Sequence, residues 1–337
     1  MTTEDDVADE ASLTPHALPY RFRRFQQTAD IARLARLYDA IEAVDQDDDH
    51  TDTEVLRAQL TWPGHDPLLD RWVVENPDHP DELIGFAGLW KAPATERADT
   101  IVRVHPAWRR HGIGGELFAR IEQRARERGA ATLGAYVNVW RTNADAFMRK
   151  HGFVAVSFYT RLRAPVEVLH TAPAPVWPDG VCLRSFAQDE RIDALLTAFN
   201  DCFEGQWGHV RLTEDDLRAW LPQLDPNGAF LAFDARDQVI GMCRAELSKE
   251  FSAKHGQPVG YLDSPGVVPA YRDDPTTLYL PLTLAALRWL GTPGALSETP
   301  ALVIMESWGD LPATLALYQS LGFTITHQEH SYRLDIK

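Results

Sequence analysis

The run from Val102 to Gly129, VRVHPAWRRHGIGGELFARIEQRARERG, constrains the fold more than any other stretch of the chain. It opens as an alternating strand and stops at Pro106, which has no N–H to give to a β-ladder. A turn holding Arg109, Arg110, Gly112, Gly114 and Gly115 follows, and apolar residues then recur at helical spacing to Arg128. A strand, a glycine turn and a helix in that order form an anion cradle. The first N–H groups of the helix have no internal partner, the helix dipole adds positive potential, and glycines let a ligand approach the backbone. The two arginines before the glycines add fixed charge suited to a diphosphate. Competing phosphate motifs fit poorly: the trailing Gly-Lys-Ser/Thr of a Walker loop is missing, and no acid about 20 residues on supports a dinucleotide fingerprint.

The rest of the composition narrows the class. A chain of 337 residues suggests about two domains. The net charge of −16 disfavours nucleic acid as a partner and favours cationic small molecules. Against that excess, Arg103 to Arg128 holds seven arginines and three acids, a local concentration of bases. Cys182, Cys202 and Cys243 are odd in number and widely spaced, and the twelve histidines show no HExxH pattern, so neither a disulfide frame nor a metal site is expected. No apolar run is long enough to span a bilayer, and the N-terminus is acidic where a signal peptide would be basic. The expected location is cytoplasmic, with no membrane partner and a monomeric or homodimeric state.

The chain also repeats itself. Residues 1–18 read as an acidic disordered tail, 19–168 as a first domain, 169–180 as a Pro-rich linker and 181–337 as a second domain. Phe25 and Phe186, Ile84-Gly85 and Ile240-Gly241, Val104/Pro106 and Val267/Pro269, and Gly152-Phe153 and Gly322-Phe323 follow in the same order at offsets of 156 to 170. Such landmarks indicate a duplicated domain. The copies differ where chemistry is at stake. The second reads VVPAYRDDPTTLYL, with Pro275 and Thr277 in place of Gly112 and Gly114, and Asp273 and Asp274 in place of Arg110 and His111. A unit charge pair at 4 Å is worth about 4 kcal/mol at an effective dielectric of 20, so two aspartates oppose a diphosphate there.

Val102 to Leu117, VxVxPxxRRxGIGxxL, resembles the acetyl-CoA motif of the GCN5-related N-acetyltransferase (GNAT) superfamily, and NxxAxxFMxKHGF from Asn143 to Phe153 resembles its closing helix and strand. Two such domains in tandem are similar to the mycothiol synthase-like type. The resemblance implies an α/β (α+β) chain of two GNAT-like domains, each a mixed, mainly antiparallel sheet with a splayed central strand flanked by helices. It implies acetyl-CoA as co-substrate and a primary amine of a small molecule as acceptor, joined by direct attack in a ternary complex. Val102, Arg103 and Val104 would meet the pantetheine arm. Arg109, Arg110, His111, Gly112, Ile113, Gly114 and Gly115 would hold the pyrophosphate, and Asn143 would contact the cofactor. The family's general-acid tyrosine, four residues before the Gly of the final Gly-Phe pair, is Met148 in the first domain and Tyr318 in the second.

Catalytic candidates in the first domain are Asp99, His105 and Tyr136, with Glu75 and Tyr159 as further options. The acidic stretch from Glu42 to Glu54 stands where the family places its acceptor loop. Two alternatives stay open from sequence: that Tyr318 and Glu204 make the second domain catalytic, and that the chain is an acyl-CoA-binding sensor without turnover.

Overall fold

The computed structural model describes residues 19–46, 52–60, 65–91 and 95–336. The segment 1–18, expected as an acidic tail, and residues 47–51 of the acidic stretch lie outside the described residues. By packing, the chain forms two compact units, Met1–Ala135 with Leu334–Lys337, and Tyr136–Arg333. The boundary read from the repeat, at 169–180, is a different division of the chain. Residues 172–180 adopt neither helix nor strand.

In the first unit β1 (Arg21–Arg24), β2 (Arg71–Glu75), β3 (Leu83–Trp90) and β4 (Arg97–Val104) pair antiparallel in sequence order, and the start of β5 (Thr132–Asn138) adds in parallel to β4. Helices α1 (Gln27–Asp45) and α3 (Ile113–Glu127) pack on this sheet, and α2 (Thr53–Gln59) packs on α1. β3 is apolar along its whole length and β2 at its three central residues, Trp72, Val73 and Val74, because both strands are buried on both faces. Val73 and Phe86 face α1, whose Ile31, Leu34, Tyr38 and Ile41 recur at helical spacing. α3 turns Ile113, Leu117, Phe118, Ile121 and Ala125 inward. Each fully buried leucine or isoleucine contributes roughly 1.5–3 kcal/mol.

The strands of the second unit are ordered β13 (Thr324–Asp335), β6 (Val154–Pro165), β12 (Leu302–Trp308), β10 (Val259–Asp263), β9 (Val239–Leu247), β8 (Ala229–Phe233) and β7 (Cys182–Ser185), with β11 (Gly266–Val267) on β9. Its helices are α4 (Thr142–Lys150), α5 (Glu167–Thr171), α6 (Phe186–Asp189), α7 (Ile192–Asp201), α8 (Glu214–Trp220), α9 (Lys249–His255), α10 (Tyr279–Leu290) and α11 (Pro312–Ser320). Strand β6 lies between β12 and β13, antiparallel to both, which places the closing strand of the first repeat within the sheet of the second unit.

The repeat is visible bond by bond. A β-bulge leaves Ile84 unpaired between Leu83 and Gly85, and another leaves Ile240 unpaired between Val239 and Gly241. The bulged carbonyl of Ile84 accepts the N–H of His105 at 2.9 Å, and that of Ile240 accepts the N–H of Val268 at 3.1 Å. A 3-10 turn follows in each copy, Pro106–Trp108 and Pro269–Tyr271. At both bulges a glycine lets a helix pack close, since a Cβ on Gly85 or Gly241 would come within 3.0 and 2.9 Å of the Ile113 and Leu282 side chains.

Candidate active site

β4 is held by two neighbours at its start and by one at its end. Residues Gly85 to Trp90 of β3 pair with it from Val104 back to Asp99, whereas its register with β5 covers Arg97, Ala98 and Asp99, ending at the Asp99–Gly134 pair. From Thr100 onward β4 has no register with β5, so its edge away from β3 can meet a ligand through backbone groups, the Val104 carbonyl excepted, which Arg109 Nε occupies. Val102, Arg103 and Val104 lie on this edge segment, all half-buried.

The chain then turns into α3. Gly112 caps the helix with φ 84°, a left-handed conformation that favours glycine. Arg110 also adopts positive φ, at 68°, and its side chain is exposed. Glu116 N–H is the donor that closes the first turn onto Gly112, so the N–H groups of Ile113, Gly114 and Gly115 have no carbonyl within the helix. A Cβ at Gly115 would meet nothing within 4 Å. Space, donors and dipole coincide at this helix start, and the donor set fits a diphosphate.

Arg109 braces the turn. Its Nε donates to the carbonyl of Val104 at 3.2 Å, and Nη1 and Nη2 grip the two carboxylate oxygens of Asp45 at 2.8 and 2.5 Å. Asp45 is the last residue of α1 and its side chain is 7% exposed. The guanidinium thus ties the end of β4 to the end of α1, an anchoring role beside the charge that the sequence suggested. His105 is likewise engaged, its Nδ1 accepting the Ala107 N–H at 3.3 Å to cap the 3-10 turn. His111 Nδ1 lies 2.8 Å from the Arg109 carbonyl.

The second copy keeps the brace and loses the cradle. Arg272 donates through Nε to the Val267 carbonyl at 2.6 Å and through Nη2 to the Cys202 carbonyl at the end of α7, 3.2 Å away. Asp274, however, accepts the Thr276 N–H at 2.9 Å and its hydroxyl at 2.7 Å. These hydrogen bonds hold the Asp274 carboxyl below its usual pKa. A fixed anion already occupies donors that the first copy leaves free for a ligand. α10 begins at Tyr279, three residues later than the start of α3 at the constant offset of 163 would place it.

Among the catalytic candidates, Asp99 sits where β4 and β5 part. Its Oδ1 accepts from Arg97 Nε and Nη2 at 2.9 and 2.6 Å, and its side chain is 41% exposed. The same oxygen lies 2.2 Å from where a Cβ on Gly134 would be, so a glycine on β5 makes room for it. Glu75 is locked among arginines: Arg23 at 2.6 Å, Arg21 at 3.2 Å and Arg33 at 3.8 Å. Tyr136 and Asn143, both in the second compact unit, are half-buried on β5 and exposed at the start of α4. Met148 is buried, and a thioether has no proton to donate. Tyr159 donates to Glu306, and burial pushes its hydroxyl above the ordinary tyrosine range.

Tyr318, the second copy's counterpart of Met148, is fully buried, and its hydroxyl lies 3.3 Å from Asp310 Oδ2. Ser307 donates to the same oxygen at 2.7 Å. Burial raises the Asp310 carboxyl to about 6 and pushes Tyr318 well above its ordinary value. Glu204 is exposed. Sequence reasoning missed Asp45, Gly134 and the Asp274 cap. A glycine inside LGAYVNVW was the one local signal that a side chain from a neighbouring strand needed room.

The acetyltransferase (GNAT) family model matches residues 33–153, which contain β4, the glycine turn and α3. The mycothiol acetyltransferase of Thermobispora bispora is 32% identical over 264 residues, covering 75% of this chain and 80% of that protein. The mycothiol acetyltransferase of Segniliparus rotundus is 30% identical over 74% of this chain and 89% of that protein. The chain belongs to the GNAT family of N-acetyltransferases. The fold of this GNAT enzyme is that of tandem members. A GCN5-related N-acetyltransferase from Sphaerobacter thermophilus superposes with a TM-score of 0.69 at 21% identity, covering 95% of this chain and 98% of that one. A tandem GNAT protein from the clavulanic acid biosynthesis pathway gives 0.60 at 18% identity, covering 94% and 99%. Among the described residues no helix is long and apolar enough to cross a membrane, and no group of three or more His, Cys, Asp or Glu is placed to hold a metal.

Proposed function

We propose that the first GNAT repeat of this chain binds acetyl-CoA and transfers its acetyl group to a primary amine of a small molecule, while the second repeat binds no CoA. The observation that carries this reading is the contrast between the two helix starts. Ile113, Gly114 and Gly115 present N–H groups beside open space, whereas the Asp274 carboxylate takes the Thr276 N–H. The N–H groups of α3 hold the diphosphate, and the backbone of β4 from Thr100 to Val104 pairs with the amide arm. Arg110 and His111 stand exposed at the same turn. Arg109 acts through Asp45, by fixing the turn.

Acetyl-CoA, when bound, supplies an activated thioester to which a neutral amine adds. A backbone N–H on the free edge of β4 polarises the carbonyl oxygen. Asp99 is the group placed to take the amine proton: it is solvent-accessible, stands at the parting of β4 and β5, and is oriented by Arg97 over Gly134. With Met148 at the usual acid position, the CoA thiolate leaves unprotonated. Relatives named as mycothiol acetyltransferases support a small-molecule acceptor, and the net charge of −16 favours a cationic one. The reading in which Tyr318 catalyses is disfavoured by the burial of that hydroxyl against Asp310. A thiol-release assay with acetyl-CoA and a panel of primary amines tests the proposal. Turnover that disappears in Gly115→Asp and survives in Tyr318→Phe supports it, and the reverse pattern refutes it.

A further inference from the structure

Arg71, the first residue of β2, is fully buried, yet among the described residues its Nη1 and Nη2 have no hydrogen-bond partner. Its Nε donates to His65 Nε2 at 2.7 Å. That bond fixes the imidazole tautomer: Nε2 accepts, so Nδ1 carries the hydrogen and donates to the Leu89 carbonyl at 3.0 Å. His65 therefore gives Arg71 an acceptor but no negative charge. Burial agrees with this, holding the imidazole pKa down to about 4.

The rings of Phe25, Trp90 and Phe86 surround the guanidinium at 5.5, 5.4 and 5.9 Å from their centroids. Asp70, next along the chain, is held by Arg124 and Arg128. Burial lowers the Arg71 pKa to about 10, which leaves the group charged at neutral pH. Tyr38 and Asp70 favour the charged form from nearby, but a desolvated cation with no anion hydrogen-bonded to its Nη atoms is among the costliest arrangements in a protein core. The vacant donors are also specific in shape. With Nε committed to His65, the end-on edge formed by Nη1 and Nη2 remains, two parallel N–H directions that match the two oxygens of a carboxylate.

We propose that Arg71 anchors a buried anion site whose ligand is a small carboxylate, held by Nη1 and Nη2 within the Phe25, Phe86 and Trp90 rings. Arg71 is in register with Gly88, and Gly88 with Ile101, across β2, β3 and β4. Two strand spacings, about 10 Å, thus separate the anchor from β4. The carboxylate is either a free small anion or part of the acceptor amine, and the site stands whether or not the acetyl-transfer reading above holds.

Thermal melting of the full chain in formate, acetate and pivalate, at one pH and ionic strength, tests the site. Formate and acetate are expected to raise Tm saturably in the wild type, pivalate to be excluded by size, and Arg71→Met to be insensitive to all three. The absence of a saturable rise in the wild type, or an equal rise in Arg71→Met, overturns the proposal. If Arg71→Met does not fold, the wild-type series decides: a rise that is the same for formate and pivalate overturns it. The two sources are separated by kcat/KM for 4-aminobutanoate against butylamine. A preference of tenfold or more for the amino acid, abolished by acetate, assigns the site to the acceptor. No preference together with a saturable acetate shift assigns it to a free anion.

Discussion

Arg109 and Asp45 form a two-pronged ion pair, 2.8 and 2.5 Å, that joins the end of β4 to the end of α1 across 64 residues of sequence. The repeat keeps the same tie in another form, with Arg272 on the carbonyl of Cys202 at the end of α7. An arginine retained where the cradle is lost acts first on the fold.

A double-mutant cycle reads this directly. Arg109→Gln and Asp45→Asn are each expected to lower stability by about 1–2 kcal/mol and to weaken CoA binding, and the double variant to cost little more than either single one. Chemical denaturation measures the coupling. Additive losses, with CoA affinity untouched by Asp45→Asn, would show that Arg109 serves the cofactor alone.

Gly115→Asp separates folding from binding. The site is open, so the side chain is accommodated, and an acid in the first turn favours the helix dipole. The variant should melt at or above the wild-type temperature while CoA affinity falls at least a hundredfold, since two unit charges near 4 Å oppose each other by about 4 kcal/mol. Calorimetric titration beside a melting curve checks both.

Tyr318→Phe probes the second repeat. If the hydroxyl serves Asp310, kcat stays within about twofold while stability falls by about 1–2 kcal/mol, the cost of leaving a buried acceptor short of a donor. A loss of roughly 10²–10⁴ in kcat would instead mark a general acid.

Asp310 also predicts a pH dependence. Its folded pKa of about 6 lies above the ordinary carboxyl value of about 3.9, so between those values the folded state binds the proton more tightly than the unfolded chain. Stability from this group is full below pH 4 and declines as pH rises to 6, by about 3 kcal/mol in total. His65, held near 4, binds fewer protons when folded and gives the opposite slope between about pH 4 and 6.5. Asp310→Asn should therefore unmask a stability that rises with pH across this window in urea denaturation. An unchanged slope would place the Asp310 pKa near its ordinary value.

The legible part of this chain was local. Strand, glycine turn and helix could be read from Val102 to Gly129 because each depends on neighbours within a few residues, and the Ile84-Gly85 and Ile240-Gly241 landmarks proved to be matching bulges. What stayed hidden depends on partners far along the chain. Asp45 looked like one acid among many until Arg109 was placed on it, Asp99 could not be tied to Gly134, and Arg71 read as an ordinary charged residue at the start of a strand. The placement of β6 between β12 and β13 is likewise a matter of strand pairing between residues far apart in the chain, such as Leu302 with Pro165 and Thr324 with Arg163, which periodicity does not encode.

The central claim is a single CoA site built by the first repeat. Isothermal titration of CoA into the full wild-type chain, repeated with Gly115→Asp, tests it most directly. One site per chain that vanishes in the variant is the predicted result, and two sites of similar affinity, or one that persists in Gly115→Asp, would contradict it.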